Sequence, residues 1–87
     1  MNNAPQAVII EPSRELAEQT LTQLQLFSTK LPSPGVKCLL AVGGIPVRAQ
    51  VEALGQGVDI VVATPGRLED LVSTGRLSLQ QCRLVGV

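Results

Sequence analysis

The chain of 87 residues has no histidine, tryptophan or tyrosine, and Phe27 is its single aromatic side chain. Without histidine, neither a Ser-His-Asp triad nor a Cys-His pair can form within it. Without a set of aromatics, it has no base-stacking platform of the kind that RNA-recognition sheets use. Cysteine is scarce too. Cys38 and Cys82 fit no zinc or Cys-x-x-Cys spacing and read as part-buried thiols in a reducing compartment. No apolar run approaches the roughly 20 residues that span a bilayer. The opening "MNNAPQAVII" lacks a basic stretch followed by a long apolar core, so it reads neither as a signal peptide nor as a membrane segment. Seven basic and seven acidic residues cancel, which argues against a broad basic nucleic-acid surface but leaves room for a few aimed phosphate contacts. Hydrophobic residues make up 45% of the chain, a composition that excludes disorder and suits one small domain.

What is present alternates. "AVIIEP" (Ala7 to Pro12) is a short apolar run closed by proline, as for a buried strand. Ser13 then stands at a helix N-cap with Glu15 in the first turn. From Arg14 to about Leu31, the residues Leu16, Ala17, Leu21, Leu24, Phe27 and Leu31 form one helical stripe. "PSPG" (Pro32 to Gly35) is a loop. Val36 to Val42 reads as a second strand, closed by Gly43 and Gly44. Pro46 opens a helix with Val47, Val51 and Leu54 on one face and Gly55 as its expected stop. Val58 to Ala63 is a third strand, apolar enough to be covered on both faces. A helix is expected from about Arg67 to Thr74, with Leu68, Leu71 and Val72 inward and Gly75 as its stop. "CRLVGV" (Cys82 to Val87) opens a fourth strand. The order βαβαβαβ predicts an α/β fold with a parallel sheet and right-handed crossovers.

In such a sheet the C-terminal ends of the strands share one edge, where ligands bind. Three junctions fall there: "EPSRELA", "VGG" and "ATPGR". Helix N-termini offer unpaired N–H groups and partial positive charge. Ser13 and Thr64 add hydroxyls, Gly43, Gly44 and Gly66 allow close approach, and Pro65 fixes a turn. Each feature also has a plain structural reading, as an N-cap, a glycine turn or a Pro-Gly turn. Arg14 and Arg67 are less ordinary. Both sit in first helical turns, against the dipole, in two of the three helices, which suggests that both face an anion. Several phosphates in a row point to a nucleic-acid strand held by its backbone without base readout.

These residues resemble a known family. "PSRELA" (Pro12 to Ala17) is similar to motif Ia of the DEAD-box RNA helicases, usually written PTRELA. Gly43-Gly44 matches the family's glycine doublet, and "TPGR" (Thr64 to Arg67) matches motif Ib. The serine of "PSRELA" and the surroundings of "QGVDIVVATPGRLEDLVSTGRL" most resemble the branch of the family that carries a SPRY domain inserted in its first RecA-like domain. The resemblance implies a RecA-like (P-loop NTPase-type) fold and covers residues 1–87, from motif Ia to just before the Asp-Glu-Ala-Asp box. It implies that Pro12, Ser13, Arg14, Gly43, Gly44, Thr64, Pro65, Gly66 and Arg67 contact the sugar-phosphate backbone of RNA, and that Glu15 orients an arginine. The helix after "TPGR" would wedge against the strand and bend it.

The partners so implied are single-stranded or unwinding duplex RNA and the rest of the helicase core, including a second RecA-like domain. The implied location is the nucleus or cytoplasm. ATP and Mg²⁺ would serve the parent helicase, but no Gly-Lys-Ser or Gly-Lys-Thr occurs in this sequence, and an Asp-Glu-Ala-Asp box would begin after Val87. The expectation is a middle slice of the first RecA-like domain, with no catalytic residue and no cofactor of its own, exposing strand edges and apolar faces and poorly soluble alone. Two other functions fit the same residues: a non-enzymatic interaction module, and a segment of a related DNA helicase.

Overall fold

The computed structural model describes residues 5–30, 35–80 and 83–86, and of residues 84–86 the backbone only. Seven elements alternate: β1 (Ala7–Ile10), α1 (Arg14–Ser28), β2 (Cys38–Ala41), α2 (Val47–Gln56), β3 (Ile60–Ala63), α3 (Pro65–Ser73) and β4 (Arg83–Gly86). The strands form one sheet in the order β2-β3-β1-β4, every neighbouring pair parallel. The expected α/β alternation is present. Its register is flush: Ala63 of β3 lies opposite Ile10 of β1 and Ala41 of β2, and Ile10 lies opposite Gly86 of β4.

The strand order explains where the helices lie. From β1 the chain steps two places to β2, then turns back through β3 and on to β4. With right-handed crossovers, a reversal of direction moves the connecting helix to the other face. Alternate residues along each strand separate accordingly. Val8, Ala41, Val61 and Ala63 pack with Leu54 of α2 and with Leu68 and Leu71 of α3. Val42 and Val62 pack on the opposite face with Ala17 of α1, joined by Ile9, Leu24 and Leu40.

The two faces are unequal. Leu54 and Leu71 are fully buried under α2 and α3. On α1 only Ala17 is buried; Leu21 and Leu24 are partly so, while Leu16, Leu26 and Phe27 stand 41%, 58% and 60% exposed. The stripe expected on α1 therefore covers the sheet with its small residue and leaves much of its apolar surface in solvent. Leu31 and residues 32–34 lie outside the described residues, as do Cys82 and Val87.

Several element ends shift. α1 closes at Ser28, with Thr29 as its C-cap. α2 runs through Gly55 and ends at Gln56, because Gly57 takes the positive φ of 98° that a side chain disfavours. α3 begins two residues earlier than expected, at Pro65, whose missing N–H costs nothing at the first helical position. Gly75 has a φ of 74° just past α3, as expected of its stop. β2 and β3 are each shorter than the apolar runs that contain them.

Cys38 is a free, partly buried thiol. Burial raises its pKa first, and the Asp59 carboxylate adds to the shift. Because the folded value is the higher one, the stabilisation is complete below the thiol's unfolded pKa and is lost as pH rises through the folded one. In a Cys82→Ser background, alkylation of Cys38 by iodoacetamide should show a pH midpoint above that of the same chain in urea. Equal midpoints would contradict the buried setting.

Urea denaturation followed by circular dichroism should separate the two faces. Leu71→Ala is expected to cost about 2–5 kcal/mol, enough to unfold a chain with the thin margin of a small domain. Phe27→Ala should move the midpoint far less, as expected of a side chain left mostly in water.

Candidate nucleic-acid interface

The flush parallel register brings all strand C-termini to one edge, and the order β2-β3-β1 makes the three expected loops neighbours. The loop after β3 lies in the middle, flanked by the glycine doublet after β2 and by Pro12-Ser13 after β1. Backbone bonds tie them together: Thr64 N–H donates to Ala41 O at 3.2 Å, and Glu11 N–H donates to Ala63 O at 2.9 Å.

The two hydroxyls behave differently. Ser13, at φ −141° and ψ 158°, accepts from Leu16 N at 3.3 Å and caps α1. Its structural reading therefore holds, although its own proton remains available. Thr64 is the N-cap of α3 in extended backbone, yet its side chain makes no cap bond. Leu68 N–H is satisfied by Thr64 O instead, at 3.0 Å. The Thr64 hydroxyl is left uncommitted beside the N–H groups of Gly66 and Arg67. With Gly43, these residues line an open groove of about 560 Å³ that continues along α3 past Glu69, Asp70 and Ser73.

Arg14 reaches across the end of β3 to the glycine doublet. A Cβ on Gly44 would stand 2.6 Å from Arg14 Nη1, and Gly44 has a φ of +86°. The guanidinium also makes an exposed 3.4 Å pair with Glu18, a contact of small energetic weight. Its partner is thus Glu18, one turn on. Glu15 is exposed at the helix N-terminus, where a carboxylate suits the dipole.

Arg67 is part-buried and engaged. Its Nη1 donates to Ile45 O and to Gln50 Oε1, both at 2.8 Å. These two oxygens explain how a cation tolerates the first turn of α3 without invoking a ligand. What Arg67 still offers to an anion is Nε and Nη2. The recurrence of arginine in first turns also extends to α2, where exposed Arg48 pairs with Glu52 at 3.9 Å. It therefore does not single out the groove.

Sequence reasoning missed Gln50. It is 1% exposed on α2 and donates from Nε2 to Val42 O at 3.2 Å while accepting from Arg67. The available signal was a glutamine between Val47, Val51 and Leu54 on a helix that packs on the sheet. Buried Glu11, at the end of β1, was also unforeseen; it accepts from the Thr20 hydroxyl.

The donor set suits a phosphodiester: amides, a hydroxyl and guanidinium edges. It does not fit a nucleoside triphosphate with Mg²⁺. No lysine lines the groove, and among the described residues no three His, Cys, Asp or Glu side chains converge as metal ligands. No helix among the described residues is long and apolar enough to cross a membrane.

The family model described as DEAD/DEAH box helicase matches residues 1–86. The chain is 54% identical over 83 residues to the ATP-dependent RNA helicase DDX1 of Xenopus laevis and 52% identical over 81 residues to Ddx1 of Drosophila melanogaster. These alignments cover 95% and 93% of the chain, and 11% of each relative. The crystal structure of the yeast DEAD-box splicing factor Prp28 superposes with a TM-score of 0.79 at 33% identity, over 94% of this chain and 19% of that one.

The two hydroxyls should differ under mutation. Ser13→Ala is expected to cost about 1 kcal/mol of stability through the lost cap, whereas Thr64→Ala should stay within about 0.5 kcal/mol. Chemical denaturation of both variants checks this, and an equal loss at Thr64 would mean that its hydroxyl is structurally committed.

Proposed function

The chain belongs to the DEAD/DEAH box helicase family, and from that premise we propose that its three aligned loops grip the sugar-phosphate backbone of single-stranded RNA within an ATP-dependent RNA helicase. The observation that carries the reading is the strand order β2-β3-β1, which sets Gly43-Gly44, Thr64–Arg67 and Ser13-Arg14 side by side with donors left uncommitted. Gly43, Gly44 and Gly66 allow the strand close to the amides; Ser13 and Thr64 supply hydroxyls; Arg14 and the free edge of Arg67 supply charge. Pro12 and Pro65 set the turns. Nothing here reads a base edge, so binding is indifferent to sequence. Contacts from loop amides to 2′-hydroxyls favour RNA over DNA.

The stretch of the groove further along α3 supports the wedge role of that helix. Glu69 and Asp70 are exposed just beyond the donor-rich first turn. A backbone held at Gly66 and Arg67 meets these carboxylates if it continues straight along the helix. Like-charge repulsion turns it aside, and a bent strand does not sustain a duplex.

In this reading the chain is the part of the first RecA-like domain from motif Ia up to the acidic box. ATP and Mg²⁺ bind elsewhere in the helicase, across from a second RecA-like domain, and the protein works in the nucleus or cytoplasm. The mostly exposed Leu26 and Phe27 of α1 favour a second reading, in which that face docks on protein. Capture of a partner that survives both high salt and RNase would support it.

Fluorescence anisotropy with labelled single-stranded RNA tests the main reading. Binding should weaken with salt, and Arg14→Ala should weaken it equally for all sequences while lowering the slope of log K against log salt by roughly 0.7. Arg67→Ala should weaken it too, through both its free edge and its hold on the loop. A 2′-deoxy strand should compete poorly. Binding left unchanged by both substitutions would remove the phosphate assignment.

A further inference from the structure

We infer that Gln50 is a positioning residue for the groove: it fixes the direction in which the Gly43 N–H points. The inference rests on the backbone-binding reading for its purpose, but its geometry stands on its own. In a trans peptide, the carbonyl of one residue and the N–H of the next point in opposite directions. The Val42 carbonyl and the Gly43 N–H belong to one such plane. Gln50, almost wholly buried, holds the Val42 oxygen through its Nε2 at 3.2 Å. With that oxygen drawn toward the interior, the Gly43 N–H faces away from it. Gly43 is exposed and lines the groove, and its N–H has no acceptor among the described residues.

The rest of the loop is fastened by the same side chain. Gln50 Oε1 accepts from Arg67 Nη1, which also holds Ile45 O. The carbonyls on both sides of Gly43-Gly44 are therefore tied to a single buried amide, one directly and one through Arg67. Only the Val42 tie aims a donor, because residue 46 is proline and the Ile45–Pro46 peptide has no N–H. A glutamine is suited to this place because it donates with one atom and accepts with the other. A leucine would fill the space and hold neither partner. Glutamate would keep Arg67 but set an oxygen against the Val42 carbonyl.

The test measures orientation without RNA and binding with it. Residual dipolar couplings of the Gly43 and Gly66 N–H vectors are recorded for the whole chain and its variants. Gln50→Leu and Gln50→Glu should both change the Gly43 coupling and leave Gly66 as it was. Arg67→Met, which retains the Gln50–Val42 bond, should leave Gly43 nearly unchanged. On titration with labelled single-stranded oligouridine, both Gln50 variants should bind about five- to tenfold more weakly, the scale of one lost hydrogen bond. The Gly43 amide shift on RNA addition should disappear while that of Gly66 persists. A purely structural glutamine would instead perturb both amides together, in step with lost stability. If Gln50→Leu does not fold, Gln50→Glu, which keeps the size and the Arg67 contact, decides the matter. An unchanged Gly43 coupling in the folded variant overturns the inference. A changed coupling in a chain that fails to bind RNA upholds the positioning and discards the RNA reading.

Discussion

Parallel pairing in flush register is the constraint from which the interface follows. Four short strands run the same way and stop level with one another, so every strand-to-helix junction opens on the same edge. A single antiparallel strand would send one loop to the far side. Because β3 lies between β2 and β1, the Thr-Pro-Gly turn is flanked on both sides, and Arg14 has only the end of one strand to cross before it reaches Gly44. The three motif loops are distant in sequence and adjacent in space for this reason.

Within that frame, small polar groups do unequal work. Ser13 and Thr64 occupy equivalent places at the starts of their helices, yet one hydroxyl caps and the other is spare. Arg14 and Arg67 also look equivalent on paper. Arg14 lies in solvent against a glycine and a weak carboxylate partner, whereas Arg67 is part-buried and spends one nitrogen on the loop beside it. Gln50 joins the loops after β2 and β3 into one body. The loops after β2 and β3 are thus tied together from below by Gln50 and Arg67, with the exposed charge of Arg14 at one end.

How much of this was legible in the sequence follows from the range of the forces involved. Alternation of apolar runs, proline and glycine gave the element order, because those signals are local. The helix ends were less certain: Gly55 and Gly57 are equally glycine, and only the backbone angle distinguishes the one that ends α2. The apolar stripe of α1 was visible, but its depth of burial depends on how far the helix sits from the sheet. The positions of the loop residues were evident from their motifs. The Arg67–Gln50–Val42 chain was not, since it joins two helices and the loop after β2, and a buried glutamine gives no periodic sign. Arg14 pairing with Glu18 is helix geometry, residues four apart being neighbours on the helix surface.

The strand order also dictates a sequence of assembly. β2 and β3 are joined by one helix and pair directly, so that unit closes over a short loop of chain. β1 finds its partners only when Ala7 meets Ile60 on one side and Arg83 on the other, near the opposite end of the chain. Contacts between remote segments form late, because the entropy of closing the long loop must be met first. The glycine doublet, the Thr-Pro-Gly turn and Gln50 all lie within the early unit, while Ser13 and Arg14 arrive with the late one. The edge on which the three loops meet is therefore built in two stages, the loops after β2 and β3 before the first turn of α1.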